Sequence, residues 1–184
     1  MGGEVLENPV TTERVEVLVS PEESGGERLR ARFSLRPRGG VAGTHYHPNQ
    51  VQTFEVESGT LSVRVGSTEF SLTAGETATV PAGVAHDQWN ESDEVVYAIE
   101  ELRPALNFLD VLRVVFALAR AGKTDAKGRP GLLMTSAITA EYSDCFCLGS
   151  PFLGALVALL APVSSILGYR DQVRALARAN SPAA

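Results

Sequence analysis

The sequence predicts an all-β core followed by a C-terminal α-helical extension, with the change of character near Pro104. Three observations carry this reading. Before Pro104 apolar residues recur with period two, and after it they recur with helical spacing. Glycine and proline also punctuate the first half at intervals that suit short, turn-linked strands. Residues 1–104 therefore read as a β-sandwich or barrel domain. Residues 105–184 read as helices packed on that domain or on a partner subunit.

Val15, Val17 and Val19 open the pattern as a short strand. Leu29, Ala31, Phe33 and Leu35 alternate with Arg28, Arg30, Arg32, Ser34 and Arg36, as a half-buried strand requires. Phe54 and Val56 alternate with Thr53, Glu55 and Glu57, and Leu61, Val63 and Val65 alternate with Ser62 and Arg64. Gly59 between these runs and Gly66-Ser67 after them predict hairpin turns. A further strand is expected over Val95–Leu102. Beyond Pro104, Leu109, Leu112, Phe116 and Ala119 follow helical spacing, with Asn107, Asp110, Arg113 and Arg120 on the more polar side. Gly122 is a suitable stop, and Lys123 to Gly131 reads as a loop. More helix is expected around Leu132–Tyr142, Phe152–Leu167 and Gln172–Ala179. Pro162 should kink or divide the second of these.

Composition narrows the function classes. A chain of 184 residues with 44% hydrophobic and 21% charged residues can bury a core without staples. Cys145 and Cys147 are separated by one residue, a poor spacing for a disulfide, so a reducing, cytoplasmic setting fits best. The N-terminal residues show neither the basic nor the apolar region of a secretory signal. A net charge of −6 argues against nucleic acid as a partner. Arg28, Arg30, Arg32, Arg36 and Arg38 read as a solvated strand face. From Cys145 to Tyr169 no residue is charged, yet glycines, prolines and serines interrupt the run. Its strongly apolar part, Phe152–Leu160, is only about half of the ~20 residues a spanning helix needs. A buried helix, an interface helix or a membrane-surface contact is expected there rather than a transmembrane span.

The chain's 3 histidines all lie in the β half. His45 and His47 are two apart, so a strand turns both side chains to one face. His86 follows a turn built from Pro81, Ala82 and Gly83. A lone histidine is more often a hydrogen-bonded or surface residue. An H-x-H pair with a third histidine inside glycine–proline punctuation is better explained by convergence on an ion. Neutral imidazoles are good ligands for Fe, Ni, Cu, Zn or Mn ions.

These residues resemble the two motifs of the cupin superfamily. The second, G-x5-P-x-G-x2-H-x3-N, is matched throughout by Gly75, Pro81, Gly83, His86 and Asn90. In the first, G-x5-H-x-H-x3,4-E-x6-G, the residues His45, His47 and Gly59 match and Gly39 takes the leading glycine. Gln52 stands where the motif has its acidic ligand. The likeness spans Gly39–Asn90, and the flanking strands extend it to about Pro104. It implies a jelly-roll type cupin β-barrel, one divalent metal ion (Fe, Ni, Cu, Zn or Mn) held by His45, His47 and His86, and a homodimer. It says little about the reaction, because cupins include dioxygenases, isomerases, epimerases, decarboxylases, binding domains and storage proteins.

Gln52 is expected to be a weak fourth ligand, or a group that hydrogen-bonds a bound water or substrate. Without a carboxylate there, the ion keeps its full charge, which favours an anionic chelating substrate such as an enolate, thiolate or carboxylate. Glu55 and Glu57 cannot substitute, since alternation from Gln52 turns both outward. Phe54, Val56, Val63 and Trp89 are candidate pocket residues, although apolar barrel residues are more often simple core. Tyr46 should face away from the metal, and Asn90 should hold its loop through side-chain hydrogen bonds. No carboxylate or further histidine is legible as a general base, so catalytic residues stay unassigned. The expected function is a metal-dependent, non-haem iron type oxygenase acting on a small organic substrate. Isomerisation, cyclisation or decarboxylation would use the same polarisation without oxygen. The alternative is a non-catalytic small-molecule-binding module whose helical tail mediates oligomerisation or membrane contact.

Overall fold

The computed structural model describes residues 3–41 and 43–181. Met1 and Gly2, at the head of the segment read above for a leader, lie outside them, as do Ala42 and residues 182–184. The first half holds strands β1 (Val5–Glu7), β2 (Glu13–Val19), β3 (Leu29–Leu35), β4 (His45–Tyr46) and β5 (Val51–Ser58). It continues with β6 (Thr60–Val65), β7 (Thr68–Thr73), β8 (Thr77–Val80), β9 (His86–Trp89) and β10 (Val96–Arg103). The second half holds helices α1 (Phe108–Arg120), α2 (Leu132–Glu141), α3 (Pro151–Ile166) and α4 (Tyr169–Ala179). A short strand, β11 (Cys147–Leu148), lies between α2 and α3.

Two antiparallel sheets share one core. One has six strands in the order β1-β2-β3-β10-β5-β8, the other five in the order β11-β4-β9-β6-β7. This is a jelly roll made of two sheets that do not close into one hydrogen-bonded cylinder. Strand β3 shows why it forms. Leu29, Ala31, Phe33 and Leu35 point inward and are fully buried. The arginines between them point outward, where Arg32 donates two hydrogen bonds to Glu57 at 2.7 and 3.0 Å and Arg30 pairs with Glu55 and Glu101. The basic stripe is thus matched by acids on neighbouring strands. Phe33 meets Phe54 of β5 edge-to-face, ring centroids 6.0 Å apart, a preferred aromatic geometry. The β5–β6 hairpin needs Gly59: its φ is +80°, and a Cβ there would lie 2.9 Å from the Val95 carbonyl oxygen.

The extension differs from the sequence reading in four places. Arg113, placed above on the polar side of α1, is buried and bonds Glu4 at 2.9 and 2.6 Å and Asp110 at 2.7 Å. Desolvation of the guanidinium is offset by these charge-assisted bonds, which tie α1 to the chain before β1. Pro162 lies inside α3 without dividing it. The break falls at Gly168, left-handed at φ +77°, in the gap the sequence reading leaves between Leu167 and Gln172, and the axis turns there by 85° into α4. α4 also starts earlier than Gln172. The fourth difference is β11, which pairs with β4 through Cys147↔Tyr46 and Leu148↔His45. As expected, Gly122 ends α1 in the left-handed region, with the Lys123 N–H donating to the Leu118 carbonyl. Ser150 caps α3 by accepting from the Leu153 N–H, with Pro151 in the first turn.

Helix α3 carries no charge and buries only Val157 and Ser164 fully, while Phe152 and Ile166 are 80% and 84% exposed. Among the described residues no single helix is long and apolar enough to cross a membrane.

Candidate metal centre

The centre is built by pairing two short strands. β4 and β9 are antiparallel neighbours with His45 opposite His86, so both rings leave the same face. His47 follows β4 by one residue and joins them. The ring centroids are 4.5 Å apart for His45 and His86, and 5.1 Å for each pair with His47. One nitrogen from each ring lies within 4.8 Å of the others.

Each ring is held from behind. The Nδ1 atoms of His45, His47 and His86 lie 3.0, 2.7 and 3.0 Å from the carbonyl oxygens of Gly43, Cys145 and Val84. A carbonyl only accepts, so each Nδ1 carries the proton and each Nε2 keeps its lone pair. The Nε2 atoms of His47 and His86 are buried without a hydrogen-bond partner. Burial keeps the rings neutral: it holds His45 well below its usual range, helped by the neighbouring histidines, lowers His47 to about 4, and lowers His86. Neutral donors, converging lone pairs and partnerless buried nitrogens fit a divalent ion.

Gln52 of β5 is buried, and its Nε2 donates to Glu100 Oε2 at 3.1 Å, leaving Oε1 without a partner. The two residues are diagonal neighbours on paired strands, since Gln52 registers with Leu102 and Phe54 with Glu100. Glu100 is the carboxyl that the sequence reading did not find. Burial raises it to about 7, with the Gln52 amide pulling the other way. Glu13 of β2 is a second such group, raised to about 8 by burial and then by the charge of Glu100. A signal for both lay in the alternation. Glu100 is in phase with Val96, Ala98 and Leu102, and Glu13 with Val15 and Val17, all of them inward. An acid in phase with a buried apolar face is a better candidate than one in a polar run.

A cavity of about 490 Å³ opens beside the centre. His45, Gln52, Gln88 and Glu100 line its polar end. Phe108, Leu112, Val115 and Phe116 of α1, Leu132 and Ile138 of α2, and Leu153 of α3 form its apolar wall, and Asn8, Glu13, Asp125, Arg129, Thr135 and Ser150 also border it. The expected pocket residues stand elsewhere. Phe54, Val56 and Val63 are sealed in the sheet core and none of them lines the cavity. Trp89 alternates with inward Gln88, so it faces outward, where Nε1 donates to Glu91 at 2.6 Å and the Arg64 guanidinium lies 5.3 Å from its ring. Asn90 bonds the carbonyls of Leu35, Arg36 and Glu94 and accepts from Ser92, which holds its loop as expected.

Residues 31–100 match the family model described as the Cupin domain. No curated protein matches the chain. Among solved structures it is similar to a predicted oxalate decarboxylase from Thermotoga maritima, at 18% identity and TM-score 0.51, over 56% of this chain and 93% of that one. It is also similar to a conserved protein with a double-stranded β-helix domain from Klebsiella pneumoniae (20%, TM-score 0.44, 57% and 81%). A third similarity is to a sugar phosphate isomerase from a cupin superfamily, from Silicibacter pomeroyi (21%, TM-score 0.46, 51% and 60%). The Thermotoga likeness supports the fold of the β half and nothing finer. The helical extension lies beyond the region that the family model matches.

Proposed function

We propose that this chain, whose residues 31–100 carry a cupin domain, is a metal-dependent enzyme acting on a small organic molecule held in the cavity. His45, His47 and His86 would hold the ion, with Gln52 Oε1 as a weak fourth donor. One observation carries the reading: three neutral imidazoles, each fixed at Nδ1, present converging Nε2 lone pairs at a centre whose His45 also lines the cavity. A bound ion would supply Lewis-acid polarisation of a substrate oxygen and, as iron or copper, a route to dioxygen. The finer reading is an oxygenase of the non-haem iron type, and three neutral nitrogens with no directly placed carboxylate support it.

The protein's own groups do the rest. The Nδ1 bonds keep each ring from turning and fix which nitrogen is free. The Gln52–Glu100 bond orients the amide so that its oxygen and not its nitrogen is left unpaired. The walls of α1 and α2 keep bulk water from the substrate's apolar body. Glu100 also supports a second reading, in which proton transfer and not oxygenation is the reaction. Its Oε1 lacks a hydrogen bond, and a carboxyl raised to about 7 can hold or release a proton near neutral pH.

Metal analysis of protein purified without chelators tests the reading. We expect about one equivalent of iron, nickel, copper, zinc or manganese in the wild type and a near-complete loss in His86→Ala, as for any site of three protein ligands. Oxygen uptake by the loaded protein then separates oxygenation from proton transfer. Substoichiometric metal in both proteins would overturn it in favour of a non-catalytic binding module. The proposal includes a homodimer, checked by light scattering at micromolar concentration, and a reducing compartment that suits the free Cys145 and Cys147.

A further inference from the structure

We infer that the cavity takes a largely apolar molecule with a single oxygen-bearing head, and not a phosphorylated sugar or a dicarboxylate. The inference rests on reading the three histidines as the reacting end of the cavity, and it concerns what lies against the rest of its wall.

Charge argues first. The charged residues lining the cavity are Glu13, Glu100, Asp125 and Arg129. Arg129 is the single cation among the described lining residues, and it is engaged with Asp125, through Nε at 2.8 Å and Nη2 at 2.7 Å. Beyond the three histidines, an anionic group would find no free guanidinium or ammonium among the described lining residues to pair with. Moving a charge out of water without a partner is strongly unfavourable. The anionic chelator expected from Gln52 concerned the ion alone; the remaining lining offers a second anionic group no free cation.

The distribution of polar atoms argues second. Oε1 of Gln52, Gln88 and Glu100 are buried without partners, as is Nδ2 of Asn8, and all four residues line the cavity. These oxygens accept, so they can satisfy one hydroxyl or enol head, while a ketone head would need the ion at the three histidines. Asn8, Thr44, Thr135 and Ser150 also border the cavity, but the longest part of its helical wall is the apolar face of Phe108, Leu112 and Val115, then Leu132 and Leu153. A polyol laid along it would leave its hydroxyls unpaired, which apolar pockets reject. The volume, about 490 Å³, falls in the range of pockets that enclose drug-sized ligands. The helical extension thus makes the pocket selective for the apolar body, while the strands handle the head.

Fluorescence titration of the full chain with prodan, a neutral naphthyl ketone, tests this. We expect one saturable site with a blue-shifted emission, displaced by undecanone or decanol and not by oxalate or a hexose phosphate. Val115→Trp, which fills the cavity from a half-buried position, should weaken binding about tenfold or more, as loss of a fitted apolar pocket does. Ile166→Ser, on the exposed face of α3, should leave it unchanged. Displacement by either anion overturns the inference, as does binding that ignores Val115→Trp or vanishes with Ile166→Ser. If Val115→Trp fails to fold, the displacement series on the wild type decides. Repeating the titration after chelation keeps the two readings apart. Prodan binding that persists without metal, weakened only at its ketone, supports the pocket, while metal content separately judges the metalloenzyme.

Discussion

The two ends of the cavity are made by different halves of the chain and by different means. At the strand end each ring nitrogen and amide is aimed by a hydrogen bond, and the aim follows from register: His45 opposite His86, Gln52 diagonal to Glu100. At the helical end Leu112, Val115 and Leu132 present apolar surface with no polar atom to aim. The contrast teaches what each task demands. Ligands must be held to fractions of an ångström, which paired strands supply; an apolar wall needs only area and shape, which helices supply.

Stability should break the comparison most sharply. Phe54→Ala, under the strand end and fully buried against Phe33, should cost about 3–5 kcal/mol in urea unfolding. Leu112→Ala, which already borders open cavity, should cost well under half of that, about 1 kcal/mol, because less packing is lost. Equal costs would mean that the helical wall is packed as core.

The pH profile sharpens it next. Glu13 sits at about 8 in the fold against an ordinary 4.5, so the folded state holds its proton more tightly. The stability this contributes is complete below pH 4.5 and is lost as pH rises towards 8. Glu13→Gln should therefore gain stability relative to wild type across that window, on the order of 1–2 kcal/mol once relaxation and water entry are allowed for. Thermal unfolding at pH 5 and pH 8, ~3 units apart, reads the difference. A constant offset between the proteins would show that Glu13 does not titrate in that range. His47, lowered to about 4, acts oppositely and weakens the metal-free fold as pH falls below 6.5.

The finest comparison is within the strand end. Glu100→Gln should weaken metal binding by about tenfold, in the range seen when a partner behind a ligand is removed. The double variant Gln52→Glu with Glu100→Gln keeps the hydrogen bond and moves the carboxylate forward, so its affinity should equal or exceed that of wild type. Competition with a chromophoric chelator measures both. If neither substitution moves the affinity, the Gln52–Glu100 pair has no part in holding the ion.

How much of this was legible before the structure depends on the physics of each element. β3 and the β5–β6 hairpin were plain because strict alternation and a glycine at a positive φ are local facts. The histidines were plain because their spacing and turn residues are local too. Glu100 and Glu13 were missed although their phase was readable, because acids in a strand are usually outward and the apolar partners drew the attention. Strand β11 was not readable: two residues pair with β4 through contacts distant in sequence and leave no period. Arg113 looked solvated because its partner, Glu4, lies at the other end of the chain. The cavity wall escaped as well, since a helix facing an internal space and one facing a packed core have the same amphipathic pattern.

The Cys145 carbonyl that holds His47 carries a last consequence. It is a main-chain atom, so the contact asks nothing of the side chain at that position, and any residue that keeps the turn before β11 would serve equally well. The extension thus enters the ligand geometry anonymously. Shortening the protein to its β half would remove this anchor from a ring that every sequence motif assigns to the β half alone. A search by residue type would pass over the carbonyl, and a truncation map would find it at once.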